Sequence, residues 1–210
     1  MDGLVKELKV LQGSSIKARI DSRMAEFAAF RNEGDEKLFP ELCFCLMTAN
    51  FQAAKSIEIQ KALQDKFHTM TEEEIAAALK QFGHRFPNTR AKFIFEARKH
   101  RDGLRSKLDS FASDAERRQW LAESVKGLGM KESSHFLRNV GYNDCAIIDF
   151  HIVDKLAASG AIEAPKSKAI TPKRYLEIEQ VLKELGGRSG LNQAQLDLYL
   201  WFAETGKILK

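Results

Sequence analysis

Apolar residues recur along this chain at three- and four-residue intervals, while strict alternation of apolar and polar positions is nearly absent. The first spacing lays a hydrophobic stripe along one side of a helix, so the pattern predicts an all-α protein. Around Pro40, the residues Phe39, Leu42, Cys43, Leu46 and Met47 share a face. Pro40 suits a first turn there, because its missing N–H costs nothing, and Thr48, Ala49 and Asn50 end the helix. Thr71 with Glu74, and Ser113 with Glu116 ahead of Trp120, Leu121 and Val125, have the spacing of capping boxes. Thr171-Pro172 opens a segment in which Tyr175, Ile178, Val181, Leu182 and Leu185 form a stripe closed by Gly186-Gly187. Asn192 caps a last helix carrying Leu196, Leu200 and Trp201, and Gly206 ends it. Ser159 to Thr171 and Gly186 to Gly190 are rich in small residues and read as loops. The expected architecture is one unit over residues 1–210, built of short helices in two lobes with a cleft between them.

Composition narrows the class. At 210 residues and 44% hydrophobic content, the chain can bury one substantial core or two small lobes, but not several large domains. A net charge of +4 favours approach to phosphates without identifying a nucleic-acid binder by itself. Three cysteines fall short of the thiolate set of an iron–sulfur cluster or a structural zinc site. Cys43 and Cys45 diverge on a helix, so they read as buried small hydrophobes in a reducing compartment. The segment from Met1 to Lys17 lacks the apolar stretch of a signal peptide, and no run approaches the ~20 apolar residues of a membrane span. A cytosolic protein without membrane association is expected. Phosphate-loop, dinucleotide and zinc-helix motifs are missing from the sequence.

The most informative stretch runs from Leu121 to Gly141. A helix, the turn Gly127-Leu128-Gly129, and a second helix make a helix-hairpin-helix over about residues 115–141. Glycines at this spacing let the backbone turn sharply and leave amide N–H groups uncovered, so Gly127, Gly129 and the following helix N-terminus can hold a DNA phosphate. Gly-x-Gly alone fits an ordinary αα-hairpin better, since glycine punctuates turns freely. The next acid changes that balance: Asp149 ends the apolar run Cys145-Ala146-Ile147-Ile148, where it can cap the following helix and face the hairpin.

Gly127-Leu128-Gly129-Met130-Lys131 followed by Asp149-Phe150-His151 resembles the hairpin, lysine and aspartate signature of bifunctional DNA glycosylases. The archaeal-type 8-oxoguanine DNA glycosylase/lyases are the best fit among these. They are about this long, lack C-terminal iron–sulfur cysteines, and end in an aromatic-bearing helix and a lysine, here Leu198-Tyr199-Leu200-Trp201-Phe202 and Lys210. The resemblance covers about Leu38 to Lys210. It implies that Lys131 attacks C1′ of the damaged nucleoside and forms a Schiff base that undergoes β-elimination. Only an unprotonated amine can attack, so the site has to favour loss of the proton by desolvation or by the positive end of a helix. Asp149, as a carboxylate, can stabilise positive charge developing on the sugar. It can equally be a plain helix cap.

Chemistry at C1′ requires the nucleotide to leave the stack. Trp201, on the last apolar stripe, would ordinarily pack in a core, but the resemblance implies a stacking face for the flipped purine, with helix 192–205 forming part of the base pocket. It also implies that Lys210 closes over the lesion and distinguishes oxidised guanine. Asn50, in the segment Leu46 to Gln52, resembles the polar wedge that fills the vacated stack, with Phe51 as core packing. Arg85, Phe86 and Arg90 combine cations and an aromatic at a helix entrance, suiting the estranged base and its phosphates, although a solvated charged face fits too. His151 suits either a phosphate contact or a structural role. The family's hairpin often holds a monovalent cation through backbone carbonyls, and no other cofactor or metal is expected. The partner implied is double-stranded DNA containing an oxidised base, met by a monomer at the nucleoid. A relative acting on another oxidised base and a noncatalytic DNA-binding hairpin module are the alternatives.

Overall fold

In the computed structural model, which describes residues 1–164 and 170–210, the chain is a series of helices with no strand among the described residues. These are α1 (Asp2–Gln12), α2 (Ile16–Phe30), α3 (Asp35–Thr48), α4 (Ala53–Leu63), α5 (Glu72–Gln81), α6 (Pro87–Ala97), α7 (Leu104–Asp109), α8 (Asp114–Ser124), α9 (Met130–Asn139), α10 (Phe150–Ala158), α11 (Pro172–Ser189) and α12 (Gln193–Thr205). No described helix is long and apolar enough to cross a membrane.

Local chemistry sets most of the ends. Thr71, Ser113 and Asn192 cap α5, α8 and α12 in full capping boxes with Glu74, Glu116 and Gln195, and Thr171 caps α11. Gly206 ends α12 in the left-handed region. Two boundaries differ from the sequence pattern. Pro40 lies inside α3, which begins at Asp35. Its missing N–H leaves the Glu36 carbonyl without its helical donor, and the His68 ring nitrogen stands 3.3 Å from that oxygen. Buried on every side from Leu38 to Thr48, α3 is a central helix rather than a one-faced one, and tertiary burial outweighs the proline. Similarly, α11 runs through Gly186-Gly187 to Ser189, with Gly190 as its left-handed cap. A Cβ at position 186 would come within 2.6 Å of the Leu191 carbonyl oxygen, so that glycine serves close packing, not termination. The loop expected over Ser159 to Thr171 falls partly on residues 165–169, outside the described residues.

Two hydrophobic clusters define the lobes. One gathers α3 to α9, around Phe39, Phe44, Phe67, Ile94, Leu121 and Phe136. The other joins α1 and α2 to α10, α11 and α12, around Leu8, Ile20, Ile152, Leu182 and Leu196. The two ends of the chain therefore build one lobe, and its middle builds the other. All three cysteines are buried and unpaired. Burial pushes the Cys43 and Cys45 thiols well up and Cys145 up to about 12, so they behave as small hydrophobes.

A buried ion pair joins the lobes. Arg118 of α8, 2% exposed, forks onto the Glu179 carboxylate of α11, with Nη2 donating to Oε2 at 2.8 Å. Glu179 also accepts from the Ala146 amide at 2.9 Å, so the pair holds main chain as well as charge.

Candidate active site at the lobe junction

The hairpin takes the expected form. Between α8 and α9, Gly127 adopts φ +96°, and Leu128 is buried beneath the turn. A Cβ at Gly127 would lie 2.3 Å from the Phe93 ring, so this position needs glycine for its dihedral angle and for the close approach of α6. Gly129, the N-cap of α9, has an ordinary φ of −103°, and a Cβ there would meet only the Glu132 carboxylate, at 3.4 Å. Gly127→Ala is expected to cost about 2–4 kcal/mol of stability from strained dihedrals and overpacking. Chemical denaturation measures this, and an unchanged midpoint would contradict the packing described.

Lys131 is the second residue of α9, a helix that starts at the lobe boundary. Met130 packs against the terminal lobe, whereas Phe136 and Leu137 sit in the middle one. The Lys131 side chain is 27% exposed, and its ammonium nitrogen is 3.9 Å from the Glu132 carboxylate. Its charge also acts on Cys45, His135 and Asp197.

Asp149 starts α10, its carboxylate accepting from the Ile152 amide at 3.0 Å. The run leading to it crosses between lobes, with Cys145 in one core and Ala146 and Ile148 in the other. Side chains of α11 hold that extended run. Besides Glu179 on the Ala146 amide, the Tyr175 hydroxyl donates to the Ala146 carbonyl at 2.7 Å and accepts from the Ile148 amide at 3.2 Å. Asp149 is thus fixed from both sides, by its own helix and by a buried tyrosine and glutamate. The sequence pattern placed Tyr175 on an apolar stripe and gave Glu179 no role.

Lys131 and Asp149 both act on the carboxylate of Asp197 in α12. Burial raises the pKa of Asp197 despite its ion pair with Arg138 of α9. Arg138 also donates to the Asn139 side-chain oxygen at 2.8 and 3.1 Å. Burial drives His135, one turn after Lys131, well below the usual imidazole range and keeps it neutral. Lys210 approaches the same region, with its main chain near the His135 ring and its ammonium 2.7 Å from Glu41 and 4.5 Å from the Phe44 ring centre. The fold therefore brings Lys131, Asp149 and Lys210 around one buried polar patch. Glu41, Arg138 and Asp197 in that patch were not legible in the sequence, since acidic and basic residues on helices usually signal solvent.

Trp201 is half-buried on α12, its indole N–H without a partner among the described residues. The His151 ring meets it edge-on at 5.4 Å and lies 3.9 Å from Phe150. Asn50 is exposed and takes a left-handed φ of 58° just after two anchored carbonyls. The His84 ring bonds the Met47 carbonyl at 3.0 Å, and Arg90 donates to the Ala49 carbonyl at 2.8 Å. Phe51 packs on the His84 ring at 4.1 Å, the core role expected of it. Arg85 and Phe86 stand exposed at the start of α6, the guanidinium 5.1 Å from the ring centre. Arg90, grouped with them by sequence, is instead buried, because its hydrogen bond to Ala49 holds the Asn50 turn from within. Through Arg90 and Phe93, α6 ties that turn to the hairpin.

Residues 20–191 match the family model described as 8-oxoguanine DNA glycosylase. The chain belongs to the 8-oxoguanine DNA glycosylase family. An 8-oxoguanine DNA glycosylase/AP lyase from Korarchaeum cryptofilum is 49% identical over 210 residues, covering 100% of this chain and 99% of that protein. One from Methanocaldococcus jannaschii is 45% identical over 208 residues, covering 99% of each. The crystal structure of the Methanocaldococcus jannaschii 8-oxoguanine glycosylase/lyase in complex with a 15mer DNA containing 8-oxoguanine aligns with a TM-score of 0.95 at 43% identity, covering 99% of each chain. The two-lobed helical arrangement described above is the helix-hairpin-helix fold of this family, and Lys131 and Asp149 stand at the starts of α9 and α10, where its lobes join.

Proposed function

We propose that this protein excises 8-oxoguanine from duplex DNA and then nicks the abasic strand, with Lys131 as nucleophile and Asp149 as its partner. The observation that carries this reading is the placement of those two residues, each at the start of a helix where the two lobes join, in a chain similar from end to end to named 8-oxoguanine DNA glycosylase/AP lyases.

The chemistry proceeds in balanced steps. The Lys131 nitrogen forms a bond to C1′ as the glycosidic bond breaks, and the base leaves with that electron pair and takes up a proton. Asp149 opposes the positive charge that grows on the sugar. Opening of the sugar ring gives an imine, loss of a C2′ proton follows, and the 3′ phosphate departs with the C3′–O3′ bonding pair. Lys131 is partly exposed in the free protein, and docked DNA removes the remaining water from around the attacking nitrogen.

The DNA-facing parts follow the same logic. The hairpin amides around Gly129 receive a phosphate, which accounts for a glycine that packing within the chain does not require. Asn50, held in its turn by Arg90 and His84, fills the vacated stack, with Phe86 and Arg85 beside the estranged base. Trp201, on the helix that contributes to the base pocket, stacks on the extruded purine, Lys210 reads it, and His151 lies at the edge of the same wall. A monovalent cation at the hairpin would be held by main-chain oxygens and would add positive charge near the phosphate. The turn suits such binding only partly, since the Ser124 and Val125 carbonyls already accept from His100 at 3.0 Å and from the Leu128 amide at 3.1 Å, leaving each a second lone pair. The enzyme works as a monomer on chromosomal DNA in the cytoplasm.

A panel of duplexes carrying 8-oxoguanine, an oxidised pyrimidine or an undamaged base opposite each normal base tests this. Release of 8-oxoguanine with a β-elimination product is expected. Preferential release of the pyrimidine would make the protein a relative with another lesion, and binding without release would make it a noncatalytic module.

A further inference from the structure

Glu41 is a carboxylate in the middle of the central helix α3, and its side chain is 3% exposed. Three partners among the described residues hold it. Oε2 accepts from the Lys210 ammonium at 2.7 Å and from the Gln60 amide at 2.9 Å, while Oε1 accepts from the Asn139 amide at 2.6 Å. Both amides are themselves anchored. Gln60 also donates to the Pro40 carbonyl at 3.1 Å, and the Asn139 oxygen accepts from Arg138. Two neutral donors thus fix how the carboxylate points, and of its three partners only Lys210 brings the opposite charge that a buried anion requires. Long lysine side chains at the end of a chain ordinarily stay mobile. Here the ammonium is directed by the core of the middle lobe.

We infer that Glu41 is a specificity-determining positioning residue, which pins Lys210 against Phe44 and His135 at the edge of the base pocket and so enables it to tell 8-oxoguanine from guanine. This rests on the reading of Lys210 as a base-recognition residue. Glu41 itself touches neither base nor sugar. Its effect is exerted through the place it gives to Lys210.

The test compares single-turnover excision from matched duplexes bearing 8-oxoguanine or guanine, expressed as a discrimination ratio. The proteins are the native chain, Glu41→Gln, Glu41→Asp, a form lacking Lys210, and Glu41→Gln combined with that truncation. Loss of a charged hydrogen bond at this site is expected to lower the ratio of Glu41→Gln about tenfold or more. The truncation should lower it as far, and the combination no further. Glu41→Asp, which keeps the charge but shortens the reach, should fall between. Melting temperatures separate positioning from folding. The combined variant should melt above the truncation, which leaves a buried carboxylate unpaired, yet discriminate no better. A truncation with the native ratio overturns the reading of Lys210, and the role of Glu41 with it. A truncation that loses the ratio while both Glu41 variants keep it overturns Glu41 alone. If Glu41→Gln does not fold, a native ratio in Glu41→Asp overturns the inference by itself.

Discussion

Lys131→Gln is expected to abolish borohydride trapping on lesion-containing DNA and to slow release of 8-oxoguanine by at least about 10³-fold, the scale seen when a covalent nucleophile is removed. The substitution is mild structurally. Lys131 lies in the first turn of α9, partly exposed, and its ammonium makes only a loose ion pair, 3.9 Å from Glu132, among the described residues. The fold should therefore persist, and so should binding to the lesion duplex, which depends on the hairpin amides and surrounding cations rather than on one amine. Mass spectrometry of the trapped native complex should place the adduct at Lys131. An adduct on another lysine, or trapping that survives in the variant, would refute its assignment as nucleophile.

Asp149→Asn should reduce the rate of base release by about 10²–10⁴-fold, while the affinity for lesion DNA changes only a few-fold. This substitution isolates charge with unusual clarity. Asn caps helices about as well as Asp, so the bond from the Ile152 amide survives, and Tyr175 and Glu179 continue to hold the main chain that leads to it. What disappears is the negative charge facing the sugar. Single-turnover base release and equilibrium binding, measured on one preparation, check both halves of the expectation. Native turnover would leave Asp149 as a helix cap alone.

These two predictions meet at the lobe junction, and the fold explains why. In the mechanism proposed, a nucleophile on a short helix and a carboxylate at the start of another must keep their separation while a nucleotide swings between them. The buried Arg118 and Glu179 pair spans the lobes at that point, and the same glutamate grips the backbone preceding Asp149. Breaking one partner of such a pair usually costs several kcal/mol, because a charge is stranded in the core. The clamp and Asp149 are therefore mechanically connected, through three residues of extended chain.

Much of this was readable from the sequence, where the signals are local. Caps at Thr71, Ser113, Thr171 and Asn192 satisfy orphan amides within a few residues, so their spacing alone locates four helix starts. The turn at Gly127, the buried Leu128, and Asp149 as an N-cap depend likewise on neighbours in the chain. Resemblance then supplied roles for Lys131, Trp201 and Lys210. Pro40, read as a first turn, and Gly186-Gly187, read as an end, misled, because their local preference for helix boundaries was outweighed by burial that no window of sequence contains.

What the tertiary structure alone decided is which charges are buried and whom they meet. Glu41, Arg118, Arg138 and Glu179 look like solvated helix residues until distant segments close over them, and only then does each need a partner. Arg90 shows the converse, a cation that reads as a DNA contact yet turns inward to hold the Asn50 turn. Helix ends are governed by bonds that span a few residues. Desolvation depends on the whole fold, and for that reason the amino-acid sequence specified the elements and the candidate reactive side chains, whereas the packing of the two lobes specified the electrostatic setting around them.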